Sequence, residues 1–507
     1  MMNGIKGITL RGTQALPVEV EVEITGGLFS ITVVGLPDTA VKEARERVRA
    51  ALRAIGMTLR GRIAINLAPA DLPKEGALLD LPMAVGLALM TGKINSDEPA
   101  LFLGELALDG RLRWVRGAVP AAVLARRLDV PLFVPKANER EVSLVSGVKA
   151  FAVENLLDLV RHLSGERKLD PVKSGGFEDA EIEVETDFAD IKGQFAAKRA
   201  LEIAAAGHHN LLLTGSPGSG KTLLARALKG ILPPLSDEEM MEVMLMRSTA
   251  GLPTEPGRAR PFRTAHHTAS AVAICGGGVL MRPGEVSLAN RGVLFLDEFP
   301  EFSRDVMEAL RQPLEDGAIT VSRAAGSIEY PARVLLVAAC NPCPCGYNGD
   351  PVEPCQCTPY ALERYRRKLS GPILDRIDLH VAVPRLRPEE LVSTEDTGGE
   401  SSAEVRQRVE NARRRQIERW EKMGFQCNAE LPERILRRHL EMDSDVKPFL
   451  TDTLKTLKLS GRGYSRVMRV ARTIADLDEA DRISVYHVAE SLSYREGEAF
   501  GKVGWSR

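Results

Sequence analysis

The sequence lacks long apolar runs. No stretch of its 507 residues approaches the ~18 consecutive apolar residues that a membrane-spanning helix needs. The amino terminus also lacks the apolar centre of a signal peptide, so we expect a cytoplasmic protein without membrane contact. Aromatic residues make up only 5% of the chain, which argues against base stacking as the main grip on a nucleic acid. The formal net charge of −2 excludes a uniformly basic surface, although a groove can still be locally basic.

Cysteine is scarce and unevenly distributed. Five of the seven cysteines lie within residues 338–359, and four of these form two Cys-x-Cys pairs separated by a loop rich in Gly, Pro and Asp. Four thiolates that converge on one ion form the closed tetrahedral site of structural zinc, whereas disulfides are rare in the cytoplasm. The pattern favours Zn²⁺ over a disulfide or an uncommitted surface loop, with the ligands Cys343, Cys345, Cys355 and Cys357.

The order of apolar and polar segments predicts an α/β protein. At roughly 100–200 residues per domain, the length fits about three domains. Short apolar strands alternate with helical stretches in the middle of the chain, which is typical of a parallel sheet with helices on both faces. The predicted order is an α/β domain at residues 1–165, a charged linker at 166–186, the parallel-sheet core at 187–385, a second linker with a charged helix at 386–425 and an all-helical lid domain at 426–495.

A glycine-rich segment, "GSPGSGKT", follows an apolar strand and opens a helix. This is the phosphate-loop pattern in its required strand–loop–helix context. Its glycines let backbone N–H groups face phosphate oxygens. Lys221 suits the β- and γ-phosphates, and the Thr222 hydroxyl suits Mg²⁺. The sequence therefore predicts a site for ATP and Mg²⁺ formed by Gly215, Ser216, Pro217, Gly218, Ser219, Gly220, Lys221 and Thr222.

Two later strands also end in polar residues. The strand in "GVLFLDEF" delivers Asp297 and Glu298 to its carboxyl end, where α/β sheets hold their ligands. Asp297 suits the Mg²⁺ shell, and Glu298 suits the polarisation of an attacking water. The strand in "ARVLLVAACN" ends at Asn341, a side chain able to orient water or contact the γ-phosphate.

Together these motifs resemble the AAA+ ATPases. The segments "RPFRTAHHTASAVAICGGG", "LRQPLEDGAITVSRAAGSIEYPAR" and "GPILDRIDLHV" resemble a narrower group, the magnesium-chelatase-like AAA+ proteins of the ComM/YifB family. The resemblance implies a AAA+ P-loop core in which residues 215–222 are the Walker A loop. It also implies that Asp297 and Glu298 are the Walker B pair and that Asn341 is sensor 1.

The same resemblance implies an oligomer. Arg376 resembles the arginine finger, which acts on ATP held by a neighbouring subunit, so a hexameric ring is implied. The sensor 2 arginine falls within "GRGYSR", where Arg466 is favoured and Arg462 is the alternative.

The family resemblance further implies an ATPase that drives DNA branch migration. The expected role is that of a DNA translocase or helicase in homologous recombination of incoming DNA during natural transformation, with single-stranded or branched DNA as partner. The alternatives are a protein-remodelling AAA+ ATPase and a magnesium-chelatase-type motor subunit. The sequence has no aromatic pore loop of the kind expected of a protein remodeller. Instead, the predicted hairpin around Arg323 is a candidate phosphate-contacting pore loop. Arg263, His266 and His267 belong to a second candidate loop, with structural hydrogen bonding as the alternative role of the two histidines.

Residues 20–140 resemble the Lon protease fold, a ribosomal S5 domain 2-like fold, without its catalytic residues. Leu78 stands at the serine position in "PKEGALLD", and Val119 stands at the lysine position in "RGAVPA". Neither a nucleophile nor a base is present, so we expect a non-catalytic domain. The arginines of its first helix are candidates for DNA contact or for a solvated helix face: Arg45, Arg47, Arg49 and Arg53.

Overall fold

The chain passes three times between two structural units. In this computed structural model, unit 1 comprises residues 1–180 and 237–257, and unit 2 comprises residues 181–236 and 258–507. The structure describes residues 5–94, 98–177, 184–254, 257–278, 281–323, 326–369, 373–387, 399–457 and 460–496.

A seven-stranded mixed sheet lies at the centre of unit 1. Its strands are β1 (Ile5–Arg11), β2 (Gln14–Thr25), β3 (Ser30–Val34), β4 (Arg62–Ala68), β5 (Ala100–Phe102), β8 (Leu132–Pro135) and β9 (Ala150–Val153), while β6 (Glu105–Leu106) and β7 (Leu112–Arg113) form a separate pair. The order across the sheet is β3-β4-β2-β1-β5-β8-β9. Strand β2 is antiparallel to β1 and β4, and the remaining neighbours are parallel.

Amphipathic helices cover the apolar residues of this sheet. They are α1 (Thr39–Ala54), α2 (Asp80–Met90), α3 (Ala118–Leu128), α4 (Glu139–Ser143) and α5 (Leu156–Leu163). Asp38 caps the amino-terminal end of α1, because its Oδ1 accepts a hydrogen bond of 2.7 Å from the Val41 N–H. The apolar face of α1 shares one core with the sheet and α2.

The two positions predicted to correspond to a protease nucleophile and base are apolar. Leu78 is 4% exposed, and Val119 is fully buried. Neither side chain can act as a nucleophile or a base, so these two positions serve packing. The non-catalytic assignment of the whole domain stays a prediction.

One arginine of α1 forms an internal ion pair. Arg47 Nε and Nη2 donate to the two carboxylate oxygens of Asp80, over 2.7 Å and 2.9 Å. Asp80 is fully buried and also accepts the Leu106 N–H at 3.2 Å. Burial raises the pKa of Asp80 to about 6, although Arg47 opposes the shift. The guanidinium of Arg47 is therefore engaged by Asp80 within unit 1. The guanidinium of Arg49 lies over the ring of Phe29, 4.6 Å from its centroid.

A five-stranded, fully parallel sheet forms the centre of unit 2, so the predicted α/β core is confirmed. The order β11-β14-β17-β10-β18 is consistent with a AAA+ core. The strands of this unit are β10 (Leu211–Thr214), β11 (Phe262–Ala265), β12 (Gly276–Gly277), β13 (Arg282–Pro283), β14 (Val293–Leu296), β15 (Ala318–Arg323), β16 (Gly326–Pro331), β17 (Leu335–Cys340) and β18 (Leu379–Ala382).

Helices surround this sheet and continue into a helical carboxyl-terminal region. Those before residue 400 in unit 2 are α6 (Phe195–Gly207), α7 (Lys221–Ile231), α9 (Ala271–Cys275), α10 (Glu285–Leu288), α11 (Arg304–Ala309), α12 (Arg311–Asp316) and α13 (Pro359–Leu369). The helical region comprises α14 (Ser402–Trp420), α15 (Glu433–His439), α16 (Val446–Leu457), α17 (Gly461–Leu477) and α18 (Val485–Glu496). Within the described residues, no helix has the length and apolarity required to cross a membrane.

The predicted hairpin is confirmed. Strands β15 and β16 pair antiparallel, with Ala318 opposite Pro331 at one end and Arg323 opposite Gly326 at the other. Residues 324 and 325, together with the side chain of Arg323, lie outside the described residues. The predicted contact of Arg323 with phosphates therefore stays a prediction.

One segment that follows α7 in sequence groups with unit 1. Helix α8 (Asp237–Ala250) lies between two parts of unit 2 along the chain. The Gly117 N–H donates to the carbonyl of Ser248 over 2.9 Å, and the Ser248 hydroxyl accepts from the Val119 N–H at 3.3 Å. The domain boundaries predicted from the sequence assign this segment to the parallel-sheet core and stay a prediction.

We expect Arg47→Ala to destabilise unit 1 by about 3–5 kcal/mol, because it leaves the buried Asp80 carboxylate without its charged partner. Arg45→Ala is the matched control, since Arg45 lies on the same helix with half of its side chain exposed. Hydrogen exchange of peptides from α1 and α2 measures the effect. Equal exchange in the two variants would contradict a stabilising role for the Arg47–Asp80 pair.

Candidate functional site

The order of strands in unit 2 brings three polar strand ends together. Strands β14, β17 and β10 are neighbours and run parallel, so their carboxyl ends lie at one edge of the sheet. The phosphate loop follows β10, Asp297 follows β14, and Asn341 follows β17. Three segments far apart in sequence therefore meet because the sheet has this topology.

The glycines of the phosphate loop meet two different structural requirements, a left-handed backbone and a close backbone contact. Gly218 and Gly220 have φ values of +76° and +93°, and no atom lies within 4 Å of a Cβ built on either residue. Gly215 makes a close contact instead, because a Cβ there would lie 2.3 Å from the carbonyl oxygen of Val383. The left-handed backbone and the open space above it form a cradle for an anion.

Lys221 connects the phosphate loop to the end of β17. Its ammonium group donates to the carbonyls of Gly215 (2.8 Å) and Ser216 (3.0 Å) and to Oδ1 of Asn341 (3.2 Å). Lys221 is 9% exposed, and its burial lowers its pKa, while Asp297 acts in the opposite direction. The two residues predicted to contact phosphates, Lys221 and Asn341, are thus in direct contact.

The predicted acidic pair lies beside the first residues of α7. The Thr222 hydroxyl donates to Asp297 Oδ2 over 3.0 Å, which places the two predicted Mg²⁺ ligands side by side. Asp297 Oδ1 accepts the Glu298 N–H at 2.9 Å, and Glu298 has a left-handed backbone with φ of +50°. This turn directs the chain away from the strand immediately after the acidic pair.

His267 contacts Glu298, a role that the sequence did not indicate. Its Nδ1 lies 2.9 Å from Glu298 Oε2, and His266 and His267 both line the cleft above the phosphate loop. The sequence predicted these histidines in a candidate DNA-contacting loop. Their position one residue beyond β11 explains the contact, because β11 is the sheet neighbour of β14.

These groups line one cleft of about 750 Å³, which is within the usual range for a small-molecule site. Its walls include the phosphate loop, Thr264, the two histidines, the acidic pair and Asn341. The Ser219 hydroxyl is buried and has no hydrogen-bond partner among the described residues. A glycine-rich backbone cradle, a buried cation and paired oxygen ligands fit a nucleoside triphosphate with Mg²⁺.

The four predicted cysteines converge. Their sulfur atoms all lie within 4.8 Å of one another, with Sγ–Sγ distances of 3.3 Å for Cys343–Cys345, 3.7 Å for Cys343–Cys355 and 3.6 Å for Cys345–Cys355. A tetrahedral Zn site with Zn–S bonds of about 2.3 Å has sulfurs about 3.8 Å apart. All four cysteines are free thiols. The cluster is therefore compatible with structural zinc, and the predicted disulfide alternative does not match it.

Arg376 is buried. Its guanidinium forms an ion pair with Glu315 of α12, and its side chain is 7% exposed. The Arg376 N–H donates to the Ile373 carbonyl at 2.9 Å, and the Asn210 side chain donates to the Arg376 carbonyl at 2.9 Å. Arg376 is predicted to act on ATP bound to a neighbouring subunit. This role requires the guanidinium to break its ion pair with Glu315.

Arg466 of α17 is buried beside Asp378, the residue that precedes β18. Its Nε lies 3.8 Å from Oδ1 of Asp378, and His209 Nδ1 lies 3.2 Å from Oδ2 of the same carboxylate. Burial raises the pKa of Asp378, but the hydrogen bond with His209 and the charge of Arg466 outweigh it, so the pKa lies below its usual value. Arg462 is exposed on the first turn of α17. The sensor 2 role of either arginine stays a prediction.

A second cavity in unit 2 is strongly cationic. It has a volume of about 560 Å³ and includes Glu301, Glu308 and Ile373 in its lining. Its cationic side chains come from α11, α12 and α13, and they are Arg304, Arg311, Arg364, Arg367 and Lys368. Two carboxylates are paired locally, Glu308 with Arg311 and Glu301 with Lys368. An excess of positive charge therefore remains in this cavity.

Arg263 has an internal partner. Its Nε and Nη2 donate to the two oxygens of Glu285, over 2.7 Å and 2.9 Å. This bidentate pair connects β11 to α10. The sequence predicted Arg263 in a DNA-contacting loop, and the structure instead shows it engaged within unit 2.

The parallel sheet, the phosphate loop, the acidic pair and Asn341 define the class of AAA+ ATPases. Residues 187–391 match the family described as "Magnesium chelatase, subunit ChlI". Residues 20–138 match "Subunit ChlI of Mg-chelatase", and residues 399–495 match "Magnesium chelatase, subunit ChlI C-terminal".

Similarity to relatives over nearly the full length of the chain narrows the family assignment. The chain is 45% identical over 490 residues to "Uncharacterized protein YifB" of Salmonella typhimurium, which covers 96% of this chain and 95% of the relative. It is 44% identical over 494 residues to "Competence protein ComM" of Haemophilus influenzae, with the same coverage. The chain belongs to the YifB/ComM family of magnesium chelatase ChlI-like AAA+ proteins.

We expect elemental analysis of the purified chain to find one zinc ion per molecule, because four thiolates form a closed site. The double variant Cys343→Ser, Cys355→Ser should lose the metal. Cys275→Ser is the control, since Cys275 lies outside the cluster. A native protein without zinc, or a double variant that retains it, would contradict the assignment to these cysteines.

Proposed function

We propose that the protein is an ATP-driven DNA translocase that works as a hexameric ring and promotes branch migration during homologous recombination of incoming DNA. The observation that carries this proposal is the convergence of Lys221, Asn341, Thr222, Asp297 and Glu298 at one edge of the sheet. Nucleoside triphosphate hydrolysis depends on positioning and charge neutralisation, and this cleft supplies the groups for both.

Each residue of the cleft has a distinct task in ATP hydrolysis. Lys221 neutralises charge on the β- and γ-phosphates, and the N–H groups of the phosphate loop hold their oxygens. Thr222 and Asp297 hold Mg²⁺, which supplies positive charge to the phosphates. Glu298 accepts the proton of the attacking water, and His267 fixes the direction of the Glu298 carboxylate.

A second subunit completes the site in this proposal. Arg376 and the cationic cavity belong to the same part of unit 2, because the Arg376 N–H donates to Ile373, which lines that cavity. The cavity presents Arg304 and Arg364, neither of which is ion-paired within 4 Å to a described residue. We infer that this face receives the triphosphate held by the next copy. Arg376 then exchanges Glu315 for phosphate oxygens, which also accept charge-assisted hydrogen bonds.

The DNA substrate is supported by the comparison with known proteins and by the composition. A relative that is 44% identical over nearly its full length is named a competence protein. Arg323 at the end of β15 is the proposed phosphate contact, and a contact of this kind would suit any base sequence. Few aromatic residues are present, so contact through the backbone phosphates fits the composition better than base stacking.

A magnesium-chelatase-type motor is the second candidate function, because all three matched families carry that name. Such a motor acts on a metal-inserting partner and needs no DNA. A protein-remodelling ATPase is a third candidate, but the sequence lacks the aromatic pore loop that would grip a polypeptide. Stimulation by DNA separates the translocase from both alternatives.

Zinc is proposed as the structural cofactor of the four-cysteine loop, residues 343–357. These residues contain turns but neither a helix nor a strand, so few backbone hydrogen bonds hold them. Metal binding at Cys343, Cys345, Cys355 and Cys357 stabilises the conformation of this loop in place of those hydrogen bonds.

We expect ATP hydrolysis by the full chain to rise on addition of forked or single-stranded DNA, because a translocase couples turnover to its track. Lys221→Ala and Glu298→Gln should abolish turnover while leaving the circular dichroism spectrum unchanged. Glu298→Gln should still bind ATP, since the carboxylate acts on water rather than on the phosphates. Hydrolysis that does not respond to DNA, together with no branch migration on a four-way junction, would contradict the translocase.

We expect Lys221→Ala and Arg376→Ala to complement each other in mixed rings. An Arg376→Ala subunit keeps an intact phosphate loop, and a Lys221→Ala neighbour supplies the missing arginine. A mixture of Lys221→Ala and Glu298→Gln is the matched control. Each of these changes damages the cleft of the subunit that carries it, so a neighbouring subunit cannot restore either site. Absence of activity in the first mixture would contradict action of Arg376 across a subunit boundary.

A further inference from the structure

The four-cysteine loop is packed against the phosphate loop. A Cβ built on Gly346 would lie 2.6 Å from Cδ and 2.7 Å from Cγ of Pro217. Gly346 also has a φ of +89°, so its backbone contacts the Pro217 ring in a conformation that favours glycine. Gly346, which directly follows Cys345, therefore packs tightly against Pro217 of the phosphate loop.

Asp350 is the second residue of this loop that bears on the phosphate loop. The Ser216 hydroxyl is the largest cause of the lowered pKa of the Asp350 carboxyl, followed by the N–H of Glu353. Asp350 Oδ1 is held within its own loop, because it accepts the N–H groups of Val352 (2.8 Å) and Glu353 (3.0 Å), while Oδ2 is buried without a hydrogen-bond partner among the described residues. The four-cysteine loop therefore fixes a carboxylate beside Ser216, in addition to the packing of Gly346 on Pro217.

The loop is attached to the sheet on both sides of these contacts. Glu353 Oε1 pairs with Arg385 Nη1 at 3.2 Å, and Arg385 follows β18 by three residues. Helix α13 begins after the last cysteine, and its Tyr365 hydroxyl donates to the carbonyl of Asn341 over 3.0 Å. The loop is thus tied to the strand ends next to β10, which carries the phosphate loop.

The contacts lead directly to the catalytic lysine. Ser216 is 7% exposed, and its carbonyl accepts one of the hydrogen bonds of Lys221 at 3.0 Å. A displacement of Ser216 and Pro217 would therefore change the position of the Lys221 ammonium group and of the N–H groups beside it. Residues 343–357 contain neither a helix nor a strand, so their order depends on whatever holds the four sulfurs together.

We propose that the metal-held four-cysteine loop positions the phosphate loop, so that zinc occupancy sets the nucleotide affinity of the cleft, an inference that rests on the ATPase function and the zinc site proposed above. Gly346 and Asp350 are the positioning residues, and they act through Pro217 and Ser216. Zinc is a structural ion in this arrangement and takes no part in hydrolysis.

Metal removal from the full-length protein is the first test. A zinc-selective chelator is applied, and the dissociation constant for a fluorescent ATP analogue is measured before removal, after removal and after addition of Zn²⁺. We expect the dissociation constant to rise about tenfold if the binding-competent arrangement falls to roughly a tenth of the molecules, and to recover with Zn²⁺. Hydrogen exchange should accelerate in peptides spanning residues 211–223 and stay unchanged in β1 and β2.

A variant that keeps the metal is the second test. Asp350→Asn is nearly isosteric and removes the charge that faces Ser216, and we expect it to retain one zinc per chain while its ATP affinity falls about fivefold to tenfold. The control is Val352→Ala, because Val352 lies in the same loop and is 60% exposed. Saturating ATP should restore most of the turnover of Asp350→Asn, and an unchanged circular dichroism spectrum without ATP distinguishes this from a general loss of folding, which ATP would also partly reverse.

The outcomes separate this inference from the function on which it rests. A zinc-free protein with unchanged ATP affinity overturns the inference and leaves the ATPase intact. An Asp350→Asn variant with full zinc and unchanged affinity overturns the role of Asp350 in positioning Ser216. Wild-type protein that contains zinc but binds no ATP overturns both the inference and the proposed ATPase.

Discussion

The ammonium group of Lys221 joins the phosphate loop to the neighbouring strand. It is nearly buried, and a buried cation must find acceptors or lose its charge. Its acceptors are two carbonyls of the phosphate loop and the side chain of Asn341. The conformation of the loop, the end of β17 and the first turn of α7 are therefore set together, and the rest of the cleft is arranged around this contact.

The chain that leaves Asn341 remains close to the same contact. It forms the four-cysteine loop, which meets Pro217, and then α13, which returns to Asn341 through Tyr365. At the edge of the sheet, β11 delivers His267 to Glu298. Groups of the cleft thus depend on elements outside the phosphate loop, which is expected where the position of a few atoms decides the rate of phosphoryl transfer.

Much of the fold and site was predictable because the relevant signals are local. The phosphate loop has a fixed spacing between its glycines and Lys221, and a buried strand that ends in Asp297 and Glu298 is visible as an apolar run followed by two carboxylates. Asp38 is recognisable as a helix cap from its position before an apolar face. The paired cysteines likewise indicated their own cluster by spacing and composition.

The sequence by itself determined many of the helices and strands, the strand–loop–helix of the phosphate loop and the pairing of the four cysteines, since each of these depends on neighbours within a few residues. Tertiary structure alone decided which charged side chains pair with each other: Arg376 with Glu315, Arg263 with Glu285 and His267 with Glu298. It also decided that Gly346 meets Pro217, across more than a hundred residues. The physical reason is that parallel strands bring their carboxyl ends to one edge, where side chains distant along the chain compete for the same partners.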